Sequence, residues 1–498
     1  MLRSSRILAP VLAMACGNGV RAGVPEDDAS WVGRDAHFDD VLGEDGPLCI
    51  GLECNIDPCG GDATRTQLTG SVYDPAGKNP LPNVLVYVPN APLSALTEGP
   101  SCEACFGGSG GPIVGTLTDY RGRFTLEGVP SGTNVPLVVQ VGKWRRQVSV
   151  PTVTKCVSSD TTALTGADGR PLVRLPKNRS EGSMPRIAIV SGAADPFECV
   201  LAKIGIDVTA ESGEIGPPVV AGLANPDRIH FYTSPDAPGL DTSATLGGPS
   251  PSASGLWDTA AHLSAYDAIL LPCEGADFDK GAAVRARLVD YAGRGGRIFA
   301  THHSYSYLQF APAASLWPNV VKFWNHTPAK DGPTSVVLNR TFPRGDTFAR
   351  WLHFIGASPD LGRLPIQGVQ HDYAFVDRTR ATPWMYSNVD GTMPKDTTGA
   401  CTRDTDCPTT EAGGGCWGGT CVPAHGQEAL MTFNVPVGPP AAQCGRVVFA
   451  DFHASASASP GKGAFPEGCD GGDLSAQEKV FEFMLFDFPM CVWNHGKW

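Results

Sequence analysis

Residues 266–305 read YDAILLPCEGADFDKGAAVRARLVDYAGRGGRIFATHHSY, and this stretch decides the fold of the C-terminal part of the chain. A short apolar run, Ala268–Leu271, is followed by apolar residues that recur at helical spacing between Val284 and Tyr291. Glycines then end the helix, and a second apolar run covers residues 297–300. The order strand, helix, strand predicts a βαβ unit and therefore a parallel sheet.

Further segments extend this sheet around the central unit. The apolar run 186–190 predicts the first strand of the domain, residues 206–209 the next one, and residues 446–450 the last. A capping-box pattern that begins at Ser475 predicts a final helix. The architecture predicted for residues 185–498 is an α/β domain of three layers with a mostly parallel, flavodoxin-like sheet.

Polar residues follow the predicted strands at the points where the strands end. Parallel strands end at one edge of a sheet, and ligands bind beyond that edge, so these side chains are expected to meet in one pocket. The residues in these positions are Asp195, Glu274, His302, His303, Asp451 and His453.

These side chains suit several kinds of chemistry. His302, His303 and Glu274 are the candidates for general acid–base catalysis. The ligand-binding candidates are Asp195, Asp451 and His453. A divalent metal that activates water is the cofactor considered, with His302, His303 and His453 as its ligands. The alternative is that all of them only form hydrogen bonds to loops and strand ends.

Length and charge limit the classes of function. A chain of 498 residues is too long for one core, so more than one domain is expected. The formal net charge of -13 argues against nucleic acid and against an anionic membrane surface as partners.

The N-terminus indicates export. Arg3 and Arg6 precede a short apolar run, and the small residues at positions 13–15 form a cleavage site within a signal peptide that covers residues 1–23. With Cys16 next in the chain, the segment resembles a bacterial lipoprotein signal, whose cysteine is acylated. The expected location is therefore the outer membrane or cell surface as a lipoprotein, or the exterior as a secreted protein. Contact with a membrane is expected only through such an anchor.

The 16 cysteines fit an oxidising compartment, in which most cysteines are paired. Residues 24–65 form a linker with its own cysteines, and a Cys-rich insert covers about 397–425, where zinc is the alternative to disulfides. Cys273 is expected to pair with Cys199 or Cys469 rather than to act as a nucleophile, and Cys444 with Cys491. The complete set of disulfide candidates is Cys199, Cys273, Cys401, Cys407, Cys416, Cys421, Cys444 and Cys491.

Residues 66–176 consist of short predicted strands separated by Gly, Pro and Asp turns, which indicates a β-sandwich. Residues 68–77, 81–88 and 118–126 follow the patterns G-x-V-x-D-x-x-G, N-V-x-V and T-D-x-x-G-x-F-x-L. These patterns resemble the carboxypeptidase regulatory-like domain. The resemblance implies a small transthyretin-like fold that serves folding, spacing or ligand binding and has no catalytic activity.

The order strand, P-x-x-G, helix, Gly-Gly, strand and His-His, with a late strand that leads to His453, resembles the class I glutamine amidotransferase-like superfamily. Within it, the trehalose-utilisation (ThuA-like) proteins look most similar. The resemblance implies a pocket marked by His302 and His453. Active amidotransferases carry a nucleophilic cysteine at the elbow after the fourth strand, where this chain has Thr301-His302-His303-Ser304, so cysteine catalysis at that elbow is not expected.

Two functions remain open at this point. The first is an exported, lipid-anchored or secreted surface protein whose noncatalytic amidotransferase-like domain binds a carbohydrate or a cell-envelope component. The second is a hydrolase or lyase that depends on a metal or on the His/carboxylate cluster and acts on a carbohydrate or a related polar substrate. The aromatic-rich residues 305–324 form either a sugar platform or part of the core.

Overall fold

The computed structural model describes residues 30–31, 49, 51–60, 65–102, 111–192, 194–208, 216, 227–236, 242, 248–323, 333–370, 372–387, 401–403, 406, 415–417, 420–422, 428–454, 465, 469 and 472–490. The predicted signal peptide with Cys16 lies outside these ranges, as do Cys407 and Cys491. None of the helices within these ranges combines the length and the apolar character that crossing a bilayer requires.

The N-terminal part of the described chain is built from two sheets, with strand orders β1-β4-β3-β6-β7 and β5-β2-β8. Val84, Val86 and Val88 are buried while the residues between them are only partly covered, as expected for a strand with one face on a core. The strands are β1 (Ser30–Trp31), β2 (Gln67–Ser71), β3 (Leu85–Pro89), β4 (Pro112–Leu117), β5 (Arg123–Glu127), β6 (Gly132–Val141), β7 (Trp144–Val153) and β8 (Ser158–Asp160).

The C-terminal part is organised around one sheet with the order β10-β9-β11-β12-β21-β20-β17-β14-β15. Its strands are β9 (Ile187–Ser191), β10 (Ile229–Thr233), β11 (Ala268–Leu271), β12 (Arg297–Thr301), β14 (Pro333–Leu338), β15 (Arg363–Gln367), β17 (Ala381–Tyr386), β20 (Glu428–Val435) and β21 (Gly445–Ala450). Two small antiparallel sheets of two strands each lie outside it, and they pair β13 (Val321–Phe323) with β16 (Tyr373–Val376) and β18 (Gly415–Trp417) with β19 (Thr420–Val422).

The large sheet is mixed, so the prediction of a mostly parallel sheet is wrong. In the spatial order given above, each neighbouring pair of described strands from β10 to β21 is parallel, and each pair from β21 to β15 is antiparallel. Parallel and antiparallel pairs are therefore equal in number. Numbered among themselves in chain order, the parallel strands have the spatial order 2-1-3-4-5. The predicted strand at 206–209 is also wrong for its described residues, because the buried Ile206 donates its N–H to the carbonyl of Leu201 at the end of the preceding helix.

Both faces of the sheet are covered by helices. Ile187 and Ile189 of β9 belong to the core on one face, while Ala188 and Val190 belong to the core on the other. Helices α1, α5 and α6 contribute to the first core, and α2, α3 and α4 contribute to the second. The helices are α1 (Phe197–Lys203), α2 (Ala260–Leu263), α3 (Ala282–Gly293), α4 (Ser306–Gln309), α5 (Pro343–Phe354) and α6 (Ala476–Asp487).

The two parts of the chain pack directly on each other. The rings of Trp144 in β7 and Phe486 in α6 meet edge to face with their centroids 5.6 Å apart. Trp351 of α5 donates its indole N–H to the carbonyl of Pro80 at 2.6 Å. Buried side chains from both parts therefore belong to one continuous core on this face of the large sheet.

Three of the four described disulfides join distant segments, and the presence of disulfides is consistent with an extracellular protein. The described pairs are Cys49–Cys54, Cys59–Cys156, Cys102–Cys444 and Cys199–Cys469. Cys401 of the insert is also disulfide-bonded. The pairing of Cys444 with Cys491 is wrong, because β21 begins beside the segment that carries Cys102. Cys273 is a free, buried thiol, so the disulfide expected for it is wrong as well.

Two buried carboxyls face each other where the two parts meet. Asp74 is 1% exposed, Glu482 of α6 is fully buried, and Asn79 donates its side-chain N–H to Glu482 Oε2 at 2.7 Å. Burial raises the pKa of Asp74 to about 6. Burial, and then the charge of Asp74, raise the pKa of Glu482 above its ordinary value. The native pair therefore holds protons that the unfolded chain releases near pH 4.

This pair predicts a pH-dependent stability that one substitution removes. As the pH rises above about 4, the unfolded carboxyls ionise first, so the free energy of unfolding falls until the pH passes the native pKa values. Asp74→Asn imitates the protonated acid and is expected to unfold at a higher temperature than the wild type at pH 8, with a gain of about 1–3 kcal/mol. Thermal melts at pH 5 and pH 8 measure this, with the exposed Asp473→Asn as the control. Equal pH dependence in wild type and Asp74→Asn would contradict it.

Candidate functional site

Four parallel strands bring their carboxyl ends to one edge of the large sheet. β11 and β12 pair in register from Ala268 with Arg297, and β12 and β21 pair from Arg297 with Arg446. The backbones after β9 and β11 approach so closely that a Cβ on Gly192 would lie 2.5 Å from the Cα of Glu274. This close approach, which only a glycine permits, lets residues after several strands share one small volume.

Cys273, His302 and His453 converge at this edge. His302 Nδ1 lies 3.0 Å from His453 Nε2 and 3.3 Å from Cys273 Sγ. One donor atom from each of the three residues lies within 4.8 Å of the other two, and all three side chains are buried. The predicted meeting of His302 with His453 is therefore present, and the third member is a cysteine rather than His303.

His302 has a backbone conformation that side chains rarely adopt. Its φ is +39°, and it is the first residue after β12, where the chain turns into the 3-10 helix His302–Tyr305. A residue other than glycine in this region costs of order 1–3 kcal/mol, and such strain persists where the surrounding structure holds it in place. The strained turn points to a functional role for the His302 side chain.

The sulfur of Cys273 is surrounded by hydrogen-bond donors. The backbone N–H of Gly275 lies 3.4 Å from the sulfur, and the backbone N–H of His303 also donates to it. Burial raises the pKa of the thiol to about 12, the two N–H groups oppose that rise, and the charges of Asp195 and Asp372 add to it. Burial therefore dominates at this sulfur, and the two N–H groups offset only part of its effect on the thiol pKa.

The second nitrogen of His302 faces a carboxylate. His302 Nε2 lies 3.6 Å from Asp372 Oδ2, and the backbone N–H of Asp372 donates to Asp451 Oδ2 at 2.9 Å. Asp372 is 4% exposed and Asp451 is fully buried. A carboxylate on the far nitrogen fixes the orientation of an imidazole whose near nitrogen binds a metal.

Asp195 joins the ends of two strands. Its carboxylate accepts the hydroxyl of Thr301 at 2.7 Å and the backbone N–H of Ala454 at 2.7 Å. Thr301 Oγ1 in turn accepts the backbone N–H of Cys273 at 2.9 Å. The described hydrogen bonds of Asp195 hold the segments that carry the three converging residues, and its binding of a ligand stays a prediction. Burial raises the pKa of this carboxyl to about 7.

Glu274 belongs to a neighbouring cluster. Its carboxylate lies 2.7 Å from Lys280 Nζ and accepts the hydroxyl of Tyr307 at 3.2 Å. Lys280 also forms an ion pair of 2.5 Å with Asp236, and its side chain is only 4% exposed. Glu274 is therefore bound to a lysine beside the three converging residues, and its role as a catalytic acid or base stays a prediction.

His303 lies over the converging residues rather than among them. Its ring centroid is 3.8 Å from that of His302 with an angle of 32° between the planes, and the residue is half-buried. Burial lowers the pKa of His303, so its imidazole is neutral near pH 7. Farther along the chain, Tyr307, Trp317 and Phe323 are buried, so these members of the aromatic-rich stretch serve the core.

Sequence reasoning missed Cys273 and Asp372 as site residues. Cys273 was assigned to a disulfide because a cysteine in an exported chain is usually paired. Asp372 belongs to the run Gln370-His371-Asp372-Tyr373. The several polar and ring side chains of this run were a signal for a functional site, but no strand or helix pattern showed where in the fold the run lies. His371 itself lies outside the described residues. Comparisons of the chain with protein-family models, with curated proteins and with solved structures found no match.

Proposed function

We propose that the C-terminal α/β domain is a metal-dependent hydrolase whose divalent ion is bound by Cys273, His302 and His453. The observation that carries this proposal is the convergence of one sulfur and two imidazole nitrogens within 4.8 Å of one another. Thiolate and imidazole are the ligands that Zn²⁺ prefers in proteins.

The two donor distances that involve His302 suit a tetrahedral ion. Bond lengths of about 2.0–2.1 Å to nitrogen and about 2.3 Å to sulfur place neighbouring donors roughly 3.3–3.6 Å apart around Zn²⁺. The contacts from His302 Nδ1, 3.0 Å to nitrogen and 3.3 Å to sulfur, are only a few tenths of an ångström shorter. A small outward movement of the side chains would accommodate the ion. The ion would also replace the one proton that His302 Nδ1 and His453 Nε2 share when they face each other.

The surroundings support a cation at this point. Asp372 faces the far nitrogen of His302, as carboxylates do for metal-bound histidines. The backbone N–H groups of Gly275 and His303 compensate the charge of a thiolate. The strained backbone of His302 aligns its ring with both other donors.

Within the part of the chain that the structure describes, the donor set has three protein ligands, and this number favours catalysis over a structural role. Structural zinc sites have four protein ligands, whereas catalytic sites have three and keep a position for water. The oxygen of Asp372 faces the nitrogen of His302 that points away from the other donors, so it does not complete the set. A bound divalent ion lowers the pKa of its water to about 7 and polarises a carbonyl, which is the chemistry of hydrolysis.

A second candidate function is hydrolysis by a cysteine nucleophile. Cys273, His302 and Asp372 form a line of contacts, with 3.3 Å from sulfur to Nδ1 and 3.6 Å from Nε2 to the carboxylate. This order matches the nucleophile, base and orienting acid of thiol hydrolases. The raised pKa of the Cys273 thiol weakens this reading, because a thiol needs to ionise easily to attack a substrate.

The remaining parts of the proposal concern the setting. The protein is proposed to be exported, either anchored by acylated Cys16 or secreted, and the long-range disulfides support an oxidising compartment. The strand order 2-1-3-4-5 is that of flavodoxin-like sheets, and it supports the resemblance to the amidotransferase-like superfamily. The two N-terminal sheets support the proposed carboxypeptidase regulatory-like module.

Metal analysis of the purified mature protein tests the proposed function. We expect about one zinc or other divalent ion per chain by plasma mass spectrometry, as for a site with one set of donors. Hydrolysis of 4-nitrophenyl acetate is expected to disappear on removal of the metal with a chelator and to return with Zn²⁺. Activity that survives the chelator but is lost after treatment with iodoacetamide would favour the thiol mechanism. A protein that neither contains nor takes up a divalent ion would refute the metal centre.

A further inference from the structure

One peptide group beside the proposed metal ligands is held on both sides. Its carbonyl, which belongs to His453, accepts a side-chain N–H of Gln477 at 2.6 Å. Its N–H, which belongs to Ala454, donates to Asp195 Oδ1 at 2.7 Å. Gln477 is 4% exposed and Asp195 is 1% exposed, so both bonds lie in the low-dielectric interior, where hydrogen bonds are strong. Two side chains from distant parts of the sequence therefore fix the backbone that carries His453.

Gln477, the second residue of α6, is itself anchored to the strand β15. Its side-chain oxygen accepts the backbone N–H of Gln367 at 3.0 Å, and its side-chain nitrogen donates to the carbonyl of the same residue at 3.0 Å. A side-chain amide has two N–H groups, and the carbonyls of Gln367 and His453 use both of them. Gln477 thus ties the backbone of His453 to the end of a strand of the large sheet.

Asp195 continues this series of hydrogen bonds to the other two ligands. Its second oxygen accepts the hydroxyl of Thr301 at 2.7 Å, and Thr301 Oγ1 accepts the backbone N–H of Cys273 at 2.9 Å. Thr301 is fully buried and directly precedes His302. One series of hydrogen bonds therefore runs from Gln477 to Cys273, and it reaches the polypeptide at or next to each of the three ligands.

We propose that Gln477, Asp195 and Thr301 are positioning residues of the metal centre, which hold its three donors in place before the ion arrives. This inference rests on the proposed function and adds to it the residues that set how tightly the metal is bound. Donors that are already fixed lose little conformational freedom on binding, so the ion binds more tightly and leaves more slowly than at a loose site. Residues that orient metal ligands in this way typically contribute about 10- to 100-fold in affinity.

Cobalt(II) binding by the full chain tests the series at Thr301. Thr301→Val keeps the shape of the side chain but removes the hydroxyl that bonds both Asp195 and Cys273. We expect the affinity for cobalt(II) to fall about 10- to 100-fold and the absorption bands of the bound ion to change, because its donors are held less firmly. Thr301→Ser restores the hydroxyl and is expected to recover most of the affinity and the wild-type bands. Titration followed through the cobalt bands, with competition by a chromophoric chelator, measures both.

Gln477→Met tests the other end of the series. The methionine side chain has a similar length but no N–H for the carbonyl of His453, so the affinity for cobalt(II) is expected to fall about 10-fold or more. Asn339→Leu is the matched control, because Asn339 is 5% exposed and donates a side-chain N–H to the carbonyl of Pro383 at 2.8 Å, outside the site. This control is expected to lose stability but to keep the wild-type affinity and bands.

These experiments separate failure of the inference from failure of the proposed function. A wild-type chain that takes up no divalent ion would overturn both. Wild-type affinity and bands in Thr301→Val and Gln477→Met would overturn the inference while the metal centre stands. An equal loss of affinity in Asn339→Leu, or a Thr301→Ser that binds as weakly as Thr301→Val, would do the same. If thermal melts of the metal-free chain show that Thr301→Val does not fold, Gln477→Met decides the question by itself.

Discussion

Replacing His453 with Ala is expected to lower the affinity for Zn²⁺ strongly, because a metal ligand is lost. Loss of a residue that only orients a ligand costs roughly 10- to 100-fold in affinity, and the loss for His453→Ala is expected to be larger. The substitution removes one of three donors, and its nitrogen lies 3.0 Å from His302 Nδ1. Cys273→Ser is expected to act similarly, because a hydroxyl replaces the thiolate that zinc prefers. Competition with a chromophoric chelator measures these affinities, and the stabilisation of each variant by added zinc gives a second readout.

Two further variants make this experiment specific. Asp372→Asn keeps the shape of the side chain but removes the charge that faces His302 Nε2, so a loss of about 10- to 100-fold in affinity is expected. His262→Ala is the matched control, because His262 also contacts an aspartate, Asp258 at 2.6 Å, but lies on the surface. Unchanged zinc affinity in His453→Ala, or an equal loss in His262→Ala, would contradict the assignment of the ligands.

The second large effect is expected at Asp487, the last residue of α6. Its carboxylate forms an ion pair with Arg344 and lies 3.7 Å from the guanidinium of Arg446. Asp487 is 3% exposed, Arg344 is 6% exposed, and Arg446 is fully buried. Burial, and then the charge of Arg344, lower the pKa of Arg446. One acid therefore compensates two buried guanidinium groups.

Asp487→Asn removes the counterion that the described residues provide for the two buried guanidinium groups. We expect a loss of about 3–5 kcal/mol in the free energy of unfolding, because removal of one partner from a buried ion pair is far costlier than removal of an exposed one. Asp290→Asn is the matched control, since Asp290 is also at the end of a helix and pairs with an arginine, Arg294, but in an exposed position. For Asp290→Asn, the expected loss in the free energy of unfolding is about 0.5 kcal/mol or less.

Chemical denaturation of both variants followed by circular dichroism distinguishes these effects. Arg446 lies in β21, the strand that leads to His453, so Asp487→Asn is also expected to weaken zinc binding through the strand. Equal midpoints for Asp487→Asn and Asp290→Asn would show that the buried arrangement contributes no more than a surface pair.

Local sequence signals predicted much of the α/β framework correctly. The strands β9, β11, β12 and β21 and the helix between β11 and β12 lie where the apolar runs and the 3.6-residue period placed them. Ser475 and Glu478 form the expected capping box at the start of α6. These signals succeed because each depends on residues within one or two turns of the chain.

Nonlocal pairing explains the errors in the fold. Whether a strand joins a parallel or an antiparallel neighbour depends on partners far along the chain, and β20, β17, β14 and β15 extend the sheet antiparallel from β21. Ile206 is buried although it belongs to no strand. Its backbone N–H donates to a carbonyl at the end of a helix rather than to a neighbouring strand. The pairing of Cys102 with Cys444 spans 342 residues and has no local signature.

By itself, the sequence determined the strands β9, β11, β12 and β21, the turns after them and the polar residues that those turns carry, because apolar periodicity and glycine placement act locally. Only the tertiary structure decided that Cys273 stays a free thiol and meets His302 and His453, that Asp372 faces the far side of the His302 ring, and that Lys280 binds Glu274. The physical reason is that metal coordination, disulfide bonding and ion pairing require donor atoms within a few ångströms. Those distances follow from how the strands pack side by side, and not from the spacing of residues along the chain.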